Sequence, residues 1–245
     1  MTDTADGQIQ PLGNVARFME LLSAVEDISD ALPQMAAFYG PAGYGKSWAA
    51  NYANLTADVC LVQCRSYWTK KKLVETIAEE LGTRTKGTIP DIVGGIVERL
   101  MRAPRTLLID EADYLVKAGM IELVRDIYEA SLCPVILIGE ELLPDKLKQW
   151  ERVHSRMLRW EAAQPVSARD LDMLRALWCP EILVDDTLVE RLAKESRGST
   201  RRVCINFQRI SAFAQLNGLS TVTEADWGDE PFYTGETPEP RENLA

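Results

Sequence analysis

The sequence predicts an α/β protein: a central parallel sheet of five strands flanked by helices, followed by a small helical subdomain. Three observations predict it. Short apolar runs without polar alternation, at residues 35–39, 59–64, 106–110 and 135–138, suit strands buried on both faces, and a fifth strand is expected over 157–161. Longer stretches of helical periodicity separate these runs, and strand, helix, strand in succession builds a parallel sheet. Past Pro165 the helical patterns continue but the strand-like runs stop.

Each element has its own justification. A first helix is expected over residues 15–32, where Phe18, Leu21, Leu22, Val25 and Ile28 fall on one face and Asn14 can cap the start. Helices are expected over 46–54, 70–81, 89–102 and 118–130. In the second part they are expected over 167–177, 186–195 and 201–217, with Ser167 and Asp186 as caps. Pro231, Pro238 and Pro240, among acidic residues and Gly, predict a mostly disordered acidic tail at the end. The organisation expected is an N-terminal tail over 1–14, an α/β domain over 15–165, a helical subdomain over 166–222 and a tail over 223–245.

The chain has 245 residues, 46% hydrophobic and 26% charged, which is globular usage. Twenty-seven basic against thirty-seven acidic residues leave a net charge of −10, so any polyanion would have to bind a local basic patch. Seven carboxylates and one arginine lie in 224–245, and the remainder is only mildly acidic. No apolar run reaches the ~20 residues of a membrane helix and the start lacks a secretion signal, so a cytoplasmic protein with no membrane partner is expected. Five cysteines, at positions 60, 64, 133, 179 and 204, read as small buried residues. With His154 the only histidine, a zinc site or a histidine triad has little to be built from.

Directly after the first strand stand Gly40, Pro41, Ala42, Gly43, Tyr44, Gly45, Lys46, Ser47 and Trp48, a full G-x-x-x-x-G-K-S followed by a helix. Such a loop wraps a β-phosphate with backbone N–H groups, in conformations that side chains obstruct, and the helix N-terminus adds positive potential. Lys46 would reach the β and γ phosphates and Ser47 would ligate Mg²⁺. The run 106–110 ends in Asp110 and Glu111, at the strand end where parallel sheets bind ligands. Asp110 would hold Mg²⁺ and Glu111 would polarise the water that attacks the γ-phosphate. Two half-sites at compatible spacing point to ATP hydrolysis. Asp110-Glu-Ala-Asp113 also spells the DEAD of a helicase box, but those enzymes need two such domains and the second part here is helical.

With its phosphate loop at 40–47, its acid pair at 110–111 and helices after 165, the sequence resembles the AAA+ ATPases, over roughly residues 10–220. Asn14 to Arg17 ahead of the first strand, Tyr44 in the loop, and the stretches 109–114 and 138–140 are similar to the transposition-regulator type, the group of the phage Mu B protein and of Tn7-type target-selection ATPases. Origin-recognition initiators stand a step further away. The resemblance implies a nucleotide site that includes Asn14 and Arg17, and a helical lid whose Gly198-Ser-Thr-Arg201 places Arg201 on the γ-phosphate. It implies an arginine acting on the neighbouring subunit's nucleotide, Arg156 first and Arg152 second. The polar sensor usual after the fourth strand is replaced by Gly139-Glu140-Glu141.

The notable basic cluster is Arg65, Lys70, Lys71 and Lys72 with Tyr67 and Trp68, and Lys86 lies in the next turn. Read alone, it is a solvated helix start with Trp68 packed on the sheet. The resemblance implies instead that Arg65, Trp68, Lys70, Lys71, Lys72 and Lys86 line the bore of a homo-oligomer, a helical filament or ring, and touch duplex DNA without sequence specificity. The expectation is an ATP-dependent DNA-binding ATPase that delivers target DNA to a transposase. The alternatives are a replication initiator or helicase loader, and a nucleotide-gated adaptor without DNA contact.

Overall fold

The computed structural model describes residues 12–29 and 31–236. The chain divides into two compact units, the first ending at Gln164 and the second beginning at Pro165. The first contains α1 (Gly13–Glu26), β1 (Met35–Tyr39), α2 (Lys46–Thr56), β2 (Val59–Gln63), α3 (Lys70–Glu80), α4 (Ile89–Arg102), β3 (Thr106–Asp110), α5 (Asp113–Lys117), α6 (Ile121–Ser131), β4 (Val135–Gly139), α7 (Leu143–Leu147), α8 (Glu151–His154) and β5 (Met157–Ala162).

The five strands form one parallel sheet in the order β2-β3-β4-β1-β5. Because successive side chains leave a strand on opposite faces, runs without alternation can feed two cores at once. Ala36, Phe38, Leu108, Ile136 and Ile138 pack with Phe18, Leu21, Leu22 and Val25 of α1 and Ala49, Ala50 and Ala53 of α2. Met35, Leu107, Ile109, Val135 and Leu137 pack on the other face with α3, α4 and α6, through residues such as Leu73, Ile77, Ile96 and Val124. Phe18 meets Phe38 edge to face at 5.3 Å, a geometry that contributes about 0.5–1.5 kcal/mol beyond the area buried.

Several elements differ from the sequence reading. The helix predicted over 15–32 is α1, which stops at Glu26. Ser29 makes its own turn there, accepting from the N–H of Ala31, and Leu32 is held out of helix by the proline that follows. Asn14 does not cap this helix: the N-cap is Leu12, and Asn14 lies inside the first turn with its amide turned elsewhere. The helix predicted over 118–130 is α6, which starts only at Ile121, and the short α5, α7 and α8 gave no periodic signal. Four of the five cysteines are buried and Cys204 partly so; burial pushes the Cys60 and Cys64 thiols up to about 12, which leaves them inert at neutral pH.

The second unit contains α9 (Ala168–Trp178), β6 (Leu183–Val184), α10 (Asp186–Ser196), α11 (Thr200–Asn217), β7 (Thr221–Val222) and α12 (Glu224–Trp227). Ser167 caps α9 in a reciprocal capping box with Asp170, as its position predicts. Asp186 is the first helical residue of α10, not its cap. A two-strand pairing of β6 with β7 appears where no strand was expected.

The tail expected from residue 223 also differs over 223–236. Thr223 caps α12, Trp227 stacks on Phe232 at 5.2 Å, and Phe232 is buried. The guanidinium of Arg191 donates to the Gly228 carbonyl (2.8 Å) and that of Arg209 to the Pro231 carbonyl (2.7 Å). Asn206, fully buried, binds the main chain of Tyr233 twice, donating to its carbonyl at 3.1 Å and accepting from its N–H at 2.7 Å. Apolar residues inside an acidic segment thus fasten it to α10 and α11. The remainder of the expected tail lies outside the described residues.

Candidate functional site

The phosphate loop leaves the C-terminal end of β1 and runs into α2. Gly45 occupies the N-cap with φ +84°, a left-handed conformation that favours glycine, and no side chain caps the helix. The first N–H groups of α2 are therefore free of helical partners and face the loop. Lys46 turns back over the loop, donating from Nζ to the carbonyls of Gly40 (2.7 Å) and Pro41 (2.9 Å). Burial lowers its pKa, while Asp110, Glu111, Asp113 and Glu140 pull the other way. Those carbonyls are neutral acceptors, which phosphate oxygens outcompete because charge-assisted bonds are about twice as strong.

Asp110 ends β3 and is 5% exposed; it accepts from the Glu111 N–H at 2.9 Å and from the Gln63 amide at 3.5 Å. Glu111 sits in the left-handed region at φ +58°, which costs a residue with a side chain about 1–3 kcal/mol and aims it out of the strand direction. Burial first, then Asp110 and Asp113, raise the Glu111 pKa, which suits a general base. β4 lies between β3 and β1, so the acid pair and the loop are two strands apart at one sheet edge. Ser47 and Asp110 are hard oxygen donors of the kind Mg²⁺ takes, so the donor set fits that ion.

Asn14 and Arg17, both expected at the nucleotide, make contacts within the protein. The Asn14 amide donates to the carbonyls of Tyr44 and Gln164, both at 2.8 Å, and its oxygen accepts from the Gln164 N–H. It thus ties α1 to the middle of the phosphate loop and to the chain after β5. Arg17 reaches Glu161 of β5 at 3.4 Å, a carboxylate that Arg159 also holds at 2.8 Å. The ring of Trp48 is 60% exposed in the first turn of α2, which leaves its backbone N–H as the group that can serve a phosphate.

Arg156 precedes β5, and its carbonyl accepts from the N–H of Met35, at the start of β1. The phosphate loop leaves the other end of that strand, about 16 Å away at 3.3 Å per residue. Its guanidinium pairs with Glu129 at 2.8 Å. Arg152 is exposed on α8, and among the described residues its side chain has no hydrogen bond or ion pair. Arg201 is exposed in the first turn of α11, in the second unit, behind the Ser199 cap.

Lys70, Lys71 and Lys72 are exposed at the start of α3, which Thr69 caps, and Arg65 is exposed in the loop before it. Lys72 and Lys86 line one groove together with Glu75 and Glu79, so this face carries both signs of charge. Trp68, also expected at DNA, is partly buried against the core, and the ring facing solvent is Tyr67, 80% exposed.

Asp113 and Lys146, absent from the sequence reading of the site, join Gly139 and Glu140 in space. Asp113 Oδ2 accepts from the Glu140 N–H at 2.7 Å, and Asp113 Oδ1 takes the Lys146 ammonium at 2.6 Å. A Cβ on Gly139 would overlap Asp113 Oδ2 and come within 2.8 Å of Leu143 Cδ2. Only the odd Gly139-Glu140 pair could have signalled this cluster; Lys146 carried no motif.

Residues 30–147 match the family model described as AAA domain. Comparison with curated proteins gives no significant sequence match. Among solved structures, Orc1 of Aeropyrum pernix, in complex with DNA, is similar with TM-score 0.64 and 20% identity, over 89% of this chain and 65% of that one. Cdc6p of Pyrobaculum aerophilum gives TM-score 0.64 and 16% identity, over 89% and 66%. The Holliday junction branch migration motor RuvB of Thermotoga maritima gives TM-score 0.58 and 18% identity, over 86% and 66%. The fold is the P-loop AAA+ fold. The chain spans 65–66% of the length of these three AAA+ structures. Among the described residues no helix is long and apolar enough to cross a membrane.

Proposed function

We propose that the protein is a Mg²⁺-dependent ATPase that assembles as a homo-oligomer on duplex DNA. The observation that carries this reading is the meeting of Lys46, Ser47, Asp110 and Glu111 at one edge of the sheet, with a basic helix start on α3. Lys46 and the N–H groups of α2 bind the β and γ phosphates, and Ser47 and Asp110 hold Mg²⁺, which neutralises phosphate charge. Glu111 takes a proton from the attacking water. Arg201 of the C-terminal unit, acting as a lid, contacts the γ-phosphate in its own subunit. Arg156 or Arg152 contacts the nucleotide of the next one; Arg152 is the freer of the two, since Glu129 already holds Arg156. Arg65, Lys70, Lys71, Lys72 and Lys86 contact phosphates, so binding is salt-sensitive and sequence-tolerant. ATP drives assembly because the assembled state binds it better than the free chain does.

Within that class we read the chain as a transposition regulator that presents target DNA to a transposase, on the strength of the sequence features around Asn14, Tyr44 and residues 109–114. Likeness to Orc1 and Cdc6p supports a second reading, a replication initiator or loader. Electron microscopy with duplex DNA and a slowly hydrolysed ATP analogue tests the shared claim. Filaments or rings on DNA only with nucleotide are expected; particles indifferent to DNA refute it. Stimulation of ATP turnover by a transposase, or instead by a replicative helicase, separates the two readings.

A further inference from the structure

The loop after β4 stands between the phosphate loop and the acid pair, because β4 lies between β1 and β3. A carboxylate occupies that loop: Glu140, whose charge is felt at both Lys46 and Glu111. An uncompensated anion there opposes the γ-phosphate more than any other part of a nucleotide, since electrostatic repulsion falls with distance. The compensation is visible. Lys146 Nζ lies 2.6 Å from Asp113 and 3.3 Å from Glu140. The two partners differ in kind: the Asp113 side chain is 10% exposed and that of Glu140 67%. An exposed pair alone would be loose. Asp113, fixed by the Glu140 N–H and by the tight approach of Gly139, pins the ammonium, and the pinned ammonium holds the exposed carboxylate.

We propose that Lys146 sets the preference of this site for a nucleoside triphosphate over a diphosphate, by holding Glu140 and countering its charge beside the γ-phosphate position. The inference rests on the proposed nucleotide site. Lys146 is a positioning residue, acting through Glu140. With Lys146 removed, Glu140 is free to swing toward the γ-phosphate, and triphosphate binding suffers while diphosphate binding is spared.

The test is calorimetric binding of ADP and of a non-hydrolysable ATP analogue to the full chain with Mg²⁺. In Lys146→Ala the analogue is expected to bind about tenfold more weakly and ADP less than about twofold. Adding Glu140→Gln to that variant restores the analogue's affinity. A merely structural staple would weaken both nucleotides alike and would not be rescued, and either result overturns the proposal. Should Lys146→Ala lack a cooperative melt, Glu140→Gln alone decides. It keeps the Asp113–Lys146 pair and must raise the ratio of analogue to ADP affinity; an unchanged or lowered ratio overturns the idea. A wild-type chain that binds neither nucleotide defeats the nucleotide-site reading itself, whereas normal wild-type binding with an unchanged ratio in the variants defeats only the role of Lys146.

Discussion

Replacing Gly139 by alanine adds one methyl group at the tightest point of the site. Its Cβ would overlap Asp113 Oδ2 and sit 2.8 Å from Leu143 Cδ2, so one of them must move. Leu143 is fully buried, which leaves the Asp113 carboxylate as the group to be displaced. That displacement breaks the bond from the Glu140 N–H and the pair with Lys146, at 2.7 and 2.6 Å. Overpacking costs about 1–3 kcal/mol, and a hydrogen bond to a charged group contributes about 1.5–3. Partial overlap of the two effects gives an expected loss of about 4 kcal/mol. At 2–4 °C per kcal/mol for a chain of this size, Tm falls by about 8–16 °C. Differential scanning calorimetry reads this directly. Adding Asp113→Ala to Gly139→Ala opens the space and should recover the overpacking part, a few degrees. A single-variant Tm within about 2 °C of wild type would falsify the close-approach argument, and with it the account of why glycine stands there.

Other outcomes follow from the same geometry. Glu111→Gln should bind ATP normally yet hydrolyse it about 10²–10⁴-fold more slowly, whereas Lys46→Ala should lose ATP binding; a phosphate-release assay beside a binding assay separates them. Substituting Lys70, Lys71 and Lys72 together by Glu should abolish duplex binding with nucleotide binding intact. Substituting them by Ala should flatten the salt dependence of log K by about 3, and an unchanged slope would place the DNA elsewhere. Phe232→Ala should destabilise the C-terminal unit by about 3–5 kcal/mol and expose 228–236 to limited proteolysis, since its ring is buried on Trp227. Hydrogen bonds from Thr88, hydroxyl first and then N–H, hold Asp91 below the usual aspartate pKa. The stability this cap gives α4 is therefore complete above the ordinary aspartate value and lost as the pH falls through the depressed one. Melting curves down an acid series should show that loss in wild type and a smaller one in Thr88→Val.

Strands β1 to β4 were legible because strands packed within the sheet carry short apolar runs, whereas β5, at the sheet edge, carries Arg159 and Glu161. The phosphate loop and acid pair were legible because their chemistry demands particular residues at fixed spacing and strand ends. Asp113, Gly139 and Lys146 were not, because their relation is made by three separate segments, and a lysine in a short helix has no pattern of its own. Asn14 was misread for a related reason. Its position suits a cap, but Tyr44 and Gln164, distant in sequence, offer its amide a better set of partners. The strap over 223–236 was hidden by composition: prolines and acids dominated the segment, while Trp227, Phe232 and one buried asparagine on α11 decided its fate.

That asparagine has a consequence for how freely the strap can change. Asn206 meets the main chain of Tyr233, taking its N–H and giving to its carbonyl, as a neighbouring strand would. It therefore reads the polypeptide and not the side chain, and position 233 should accept almost any residue that keeps an amide hydrogen. Proline alone is barred on principle. Selectivity passes to the position before it, where an aromatic ring is needed to lie on Trp227, so that drift in this segment is steered by a two-letter grammar: a ring, then anything but an imino acid.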